Sequence, residues 1–166
     1  MADIITRRVC AELEGDFVVF LIGMRINRWW KPRQWIPVVR AMGRMLPELF
    51  REPRLGLLGA RTHVGFRNIM VVQYWRSYAA LEAYAAARDR AHLPAWAAFN
   101  KAVGSNGDVG IWHETYRVAP GGYENVYHNM PRFGLGLAGV LHDASGARAR
   151  ATGRLQASGK GHGGGD

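Results

Sequence analysis

From Phe17 to Met24 the chain carries no polar side chain, and its residues are β-branched, aromatic or long aliphatic types without a helical stripe. That pattern specifies a strand, expected over residues 15–26. Successive side chains of a strand leave on opposite faces, so Phe17, Val19 and Leu21 point one way and Val18, Phe20 and Ile22 the other. Both faces must then be shielded from water. The run ends at Arg25, far short of the roughly 20 residues a membrane-spanning helix needs.

The neighbouring segments supply the cover. After Arg28-Trp29-Trp30-Lys31-Pro32, the residues Trp35, Val38, Val39, Met42, Met45, Leu46 and Leu49 recur at helical spacing, with Pro32 suited to a first turn. Pro47 is expected to kink or restart this helix, because proline brings no amide donor. Strands are expected over 55–64 and 68–76, joined by Gly65-Phe66-Arg67 as a hairpin. Ser77 can cap a helix from Tyr78 to about Arg88, and a second helical piece is expected from Pro94 to Val103. A last strand runs from Asp108 to Val118, followed by a loop and a glycine-rich extended piece ending near Leu141.

The order β-α-β-β-α-β is that of an α+β, ferredoxin-like sheet with helices on one face. The apolar strands leave the other face needing a partner, and a second copy is the economical choice. A homodimer packed sheet to sheet, a dimeric α/β barrel, is therefore expected. Residues 1–14 read as an N-terminal extension and 15–141 as the ferredoxin-like domain. Residues 142–166, rich in Gly, Ala, Ser and Arg, read as a disordered tail.

Charge narrows the partners. The formal net charge is +9, and an anionic partner is the first thought such a balance brings. Between Arg25 and Arg54, however, stand eight basic residues against Glu48 and Glu52, four of them, Arg33, Arg40, Arg44 and Arg51, on the solvent side of one helix. Nucleic acid is not expected as a partner, since aromatic residues interleaved with these cations are limited to Trp29 and Trp30. No membrane partner is expected either. Glu12, Glu14 and Asp16 stand where an export signal would be apolar. With Cys10 the single cysteine, a reducing, cytoplasmic location is the simpler expectation.

Several enzyme classes lack their signatures here: there is no metal-ligand spacing, phosphate loop, nucleophile elbow or dinucleotide fingerprint. Candidate site residues cluster on the last strand and the second helical region. Alternation puts Trp112, Glu114 and Tyr116 on one face and Ile111, His113 and Thr115 on the other. Glu114 reads either as an ion-pair partner of Arg61 or Arg76 or as a carboxylate whose partial burial raises its pKa toward general-base use. His92, four residues before Trp96, reads as a capping or packed residue, a proton shuttle, or an axial haem ligand. His63 and His113 each stand alone on a strand. Trp75 and Trp112 either pack the core or wall an apolar pocket.

Five strings taken in order carry a family likeness: Met24 to Pro32, Val72-Gln73-Tyr74-Trp75-Arg76-Ser77, His92-Leu93-Pro94-Ala95-Trp96, Gly110-Ile111-Trp112-His113-Glu114-Thr115-Tyr116, and Asn129 to Leu135. Together they resemble the fumagillin-pathway monooxygenase-like family of the dimeric α/β barrel superfamily, related to antibiotic-biosynthesis monooxygenases, haem-degrading monooxygenases and aldoxime dehydratases. The resemblance implies the same barrel and dimer. It also implies that Trp75 and Asn27 resemble a tryptophan ending the third strand and an asparagine on the first strand that line the pocket. The haem-binding histidine of the haem degraders has no counterpart, because His92 falls earlier in its helix.

The resulting expectation is a monooxygenase-type oxidoreductase acting on a small or medium apolar or aromatic molecule held between sheet and helices. His92, Glu114 and Tyr116 are the expected catalytic groups. Asn27, Gln73, Tyr74, Trp75, Trp96, Trp112 and His113 are expected to bind substrate. No metal and no cofactor is expected. The alternatives are a haem-binding lyase or oxygenase with His92 or His113 as ligand, and a non-catalytic ligand-binding dimer whose Arg33, Arg40, Arg44 and Arg51 stripe meets an acidic surface.

Overall fold

A computed structural model describes residues 3–87 and 104–160, the side chains of 42 and 44 excepted. The expected second helical piece, with His92 and Trp96, lies outside the described residues.

The apolar run forms the strand β2 (Phe17–Ile26), a short β1 (Val9–Glu12) preceding it. Helix α1 (Pro32–Arg51) follows, then β3 (Leu57–Val64), β4 (Asn68–Trp75), α2 (Tyr78–Ala86), β5 (Val109–Val118), β6 (Val140–Asp143) and α3 (Ala151–Gly159). The main sheet has the order β3-β4-β2-β5, all antiparallel, with β2 central as its two apolar faces require. This is the ferredoxin-like arrangement of an α+β domain.

Helices cover the face that carries the even-numbered residues of β2. Val38 of α1 packs with Met24, Ile26 and Val109 at one end of the sheet. Leu49, near the other end of α1, packs with Val18, Trp75 and the α2 residues Leu81 and Tyr84. The helix therefore runs the length of the sheet. It is continuous through both Pro37 and Pro47, so it does not restart at Pro47. Each proline removes one amide donor, but Val38, next to Pro37, and Leu49, two residues past Pro47, are pinned in the core. Ser77 caps α2 as expected, its Oγ accepting the Ala80 N–H at 3.2 Å.

The opposite face departs from expectation. Near Phe17 it is covered by the chain's own ends: Ala11, Leu135, Tyr123, Tyr127 and Leu141 pack on Phe17, Val19, Tyr74 and Val118. β1 pairs with β6 from Val9↔Asp143 to Glu12↔Val140, so the N-terminal extension belongs to a second, two-stranded layer. The segment expected to be disordered from 142 is folded as far as 160. Its anchors are polar, which is why its scarcity of large apolar residues misleads. Arg148 makes two hydrogen bonds to the Glu12 carboxylate, at 2.6 and 3.1 Å. Arg154, buried, donates to Glu124 at 2.8 Å and to the carbonyls of Arg148 and Ala149. Gly59 lets this layer come close, since a Cβ there would stand 3.1 Å from that of Leu137.

Candidate functional site

Strand register sorts the candidates by face. On the helix side, Gln73 lies beside Phe20 and Phe20 beside Thr115, while in the next row Val71 lies beside Ile22 and Ile22 beside His113. On the opposite side, Tyr74, Val19 and Tyr116 form one row, Val72, Leu21 and Glu114 the next, and Met70, Gly23 and Trp112 the third. Glu114 and Tyr116, expected to act between sheet and helices, thus project from the other side of the sheet. No rotamer brings them to His113, because alternate residues of a pleated strand leave in opposite directions.

The helix side offers the more enclosed surroundings. Trp75 is wholly buried, its Nε1–H donating to Oε1 of Gln73 at 2.8 Å, and its ring lies 5.7 Å from that of Tyr84. Such packing makes Trp75 a core residue and uses its polar edge to orient the Gln73 amide. Beside this filled region the floor is less covered by the described residues. Phe20 and Ile22 are partly buried, whereas His113 and Thr115 are exposed, and the His113 ring sits 5.6 Å from that of Phe20 at 43°. An apolar floor bordered by an imidazole, a hydroxyl and a fixed amide can hold a flat apolar molecule and accept a proton from it. Sequence reading passed over Phe20, which is indistinguishable from its neighbours in an unbroken apolar run. Only its register with Gln73 and Thr115 marks it.

On the opposite side, the Tyr116 hydroxyl donates to Glu114 at 2.6 Å, which pushes the Tyr116 phenol above its ordinary pKa. The partner expected for Glu114 was Arg61 or Arg76. Arg61 instead lies over the Phe133 ring, 4.5 Å from its centroid, and Arg76 donates to the Arg54 carbonyl. Burial, helped by nearby Tyr127, pushes the Tyr74 phenol up to about 12, so it stays a neutral donor at physiological pH. The Trp112 indole lies over Gly23, where a Cβ would come within 2.7 Å of it.

Asn27 does not join Trp75. Val18 pairs with Trp75 and Arg25 with Asn68, so antiparallel pairing carries the two residues to opposite ends of the sheet. The Asn27 amide instead donates to the Gly107 carbonyl at 3.2 Å. Next to it, Asp108 is buried and accepts from Arg28 at 2.6 Å and from Lys31 at 3.0 Å. Hydrogen bonds from Lys31 and Arg28 outweigh the cost of burial and hold the Asp108 carboxyl below the usual carboxylate range.

Comparison with solved structures finds the same fold in an aldoxime dehydratase, OxdRE, determined in complex with butyraldoxime. The match has a TM-score of 0.67 at 14% identity and covers 84% of this chain and 44% of that one. SnoaB, a cofactor-independent oxygenase from Streptomyces nogalater, aligns at a TM-score of 0.44 and 14% identity, over 61% of this chain and 91% of its own. Among curated proteins, Monooxygenase af470 of Aspergillus fumigatus is 28% identical over 160 residues, 84% of this chain and 57% of that protein. This chain therefore spans little more than half the length of that relative. The likeness carried by the five sequence strings is borne out: the model of the Monooxygenase af470-like family matches residues 17–135, and the chain belongs to that family.

Proposed function

We propose that this chain is an oxidoreductase of the monooxygenase type that oxidises a small or medium apolar, aromatic molecule lying on the helix side of the sheet. Membership of a family named for a monooxygenase supports the reaction class. The observation that carries the location is the half-open floor of Phe20 and Ile22 with the exposed His113 ring tilted against Phe20.

In this reading His113 takes a proton from an activated methylene of the substrate. The resulting carbanion supplies electrons to dioxygen, and methylene plus dioxygen becomes carbonyl plus water, so neither an external reductant nor a cofactor enters the balance. Gln73, its amide oriented by Trp75, directs a donor toward the developing oxyanion. Glu114 and Tyr116, on the opposite face, belong to the surface where a second copy packs. The strip of Leu21, Met70, Val72 and Trp112 left beside the C-terminal layer supports such a dimer. The lone, buried Cys10 accords with a reducing cytoplasm.

Oxygen uptake by the purified chain across a panel of phenols, quinols and tricyclic ketones with an acidic methylene tests this reading. Turnover that falls at least ~100-fold in His113→Ala while the dimer persists supports it. Uptake unchanged by His113→Ala removes the assigned base. A Soret band on haem addition that disappears in His113→Ala transfers the reading to a haem-dependent enzyme.

A further inference from the structure

The three most exposed large apolar side chains of the described residues are Phe66 at 82%, Val64 at 77% and Trp30 at 73%. All three lie at one end of the main sheet. Val64 ends β3, Phe66 lies in the β3–β4 turn, and Trp30 in the turn between β2 and α1. The two turns touch: the Ile26 N–H donates to the Arg67 carbonyl at 2.8 Å, and the Trp29 ring lies 5.4 Å from that of Phe66. A single exposed apolar residue is ordinary, but three projecting from one end, two of them in turns that usually carry polar residues, mark a contact surface.

Among the described residues, the exposed charge around them has one sign. Arg25, Arg28, Lys31 and Arg33 stand in or on either side of one turn and Arg67 in the other, and the chain has no acidic residue between Asp16 and Glu48 or between Glu52 and Glu82. The acid at this end among the described residues, Asp108, is 2% exposed and lies beneath Arg28 and Lys31, whose side chains keep about two-fifths of their surface in water. An outward face of aromatic and cationic groups is complementary to a membrane bearing anionic headgroups: Trp and Phe settle at headgroup depth while Arg and Lys meet the negative charge. Val64 tells against nucleic acid, since it has no aromatic face on which a base can stack.

We propose that the 27–31 turn and the 64–67 tip of the β3–β4 hairpin together dock this protein on an anionic lipid surface, with Trp30 and Phe66 entering the headgroup layer. No described helix is long and apolar enough to cross a membrane, and none is needed for attachment of this kind. The inference is independent of the chemistry assigned to His113.

Co-sedimentation of the full chain with vesicles of equal parts phosphatidylcholine and phosphatidylserine, against vesicles of phosphatidylcholine alone, tests it. Binding is expected to the anionic vesicles, to weaken with added salt, and to fall at least ~10-fold in Trp30→Ser/Phe66→Ser and in Arg33→Gln/Arg67→Gln. Quenching of tryptophan fluorescence by lipids brominated near the headgroup, reduced in Trp30→Phe, gives a second readout that needs no loss of binding. Equal binding to both vesicles, binding unaffected by either double variant, or stronger retention on single-stranded oligonucleotides than on anionic vesicles would each overturn the proposal.

Discussion

The indole N–H of Trp75 donates a 2.8 Å hydrogen bond to Oε1 of Gln73, and both side chains lie buried on the helix side of the sheet. Two residues on the same strand face thereby satisfy each other where water does not reach. Gln73→Leu leaves a buried donor without its acceptor, which costs about 1–3 kcal/mol. Urea unfolding of wild type and variant, followed by tryptophan fluorescence, checks this. A midpoint equal to wild type would show that the pair is dispensable.

Asp108 ties the start of β5 to the turn after β2 through Arg28 and Lys31. Because its folded-state pKa lies below the ordinary value, its contribution is fully present above the unfolded-state pKa and is lost as pH falls through the folded one. Asp108→Asn should therefore lower Tm at neutral pH, and the difference from wild type should shrink below about pH 4. Thermal melts across that range give the answer, and a gap that stays constant into acid would exclude the ion pairs as its cause.

Gly23 lies directly under the Trp112 indole. A side chain there must displace the ring, and overpacking of this kind costs about 1–3 kcal/mol. Gly23→Val is expected to alter the near-ultraviolet circular dichroism of the tryptophans and, since Trp112 belongs to the strip proposed to meet a second copy, to raise the dissociation constant of that dimer. Sedimentation equilibrium at several concentrations measures the latter.

Arg154 holds α3 down through Glu124 and two backbone carbonyls. Arg154→Ala removes one donor group from three acceptors and should destabilise the C-terminal layer by about 1–3 kcal/mol. Hydrogen exchange is expected to speed up over residues 144–160 and in β1 more than in β2. Uniform acceleration throughout would mean that this layer and the main sheet unfold as one unit.

Local signals were the legible ones. Alternation along Phe17–Ile26, the hairpin glycine Gly65, the Ser77 cap and the helical spacing of Trp35, Val38 and Leu49 each depend on neighbours within a turn or a strand, and each holds in the structure. The candidate site was less legible. The opposition of His113 and Glu114 follows from alternation, yet which of them meets the helices depends on where α1 and α2 come to rest. Asn27 follows β2 and Trp75 ends the neighbouring β4, and only antiparallel register shows that they occupy opposite ends of the sheet.

What the amino-acid order determined by itself is a central strand that cannot tolerate water on either side, and with it the four-stranded sheet and its layer of helices. The tertiary structure alone decided how the second side is covered. There the chain's own ends do part of the work, through Arg148 on Glu12 and Arg154 on Glu124, pairs separated by 136 and 30 residues. The physical reason is the range of the forces: pleat and helical period are set by adjacent residues, whereas a guanidinium finds its carboxylate only after the whole fold has brought them within hydrogen-bonding distance.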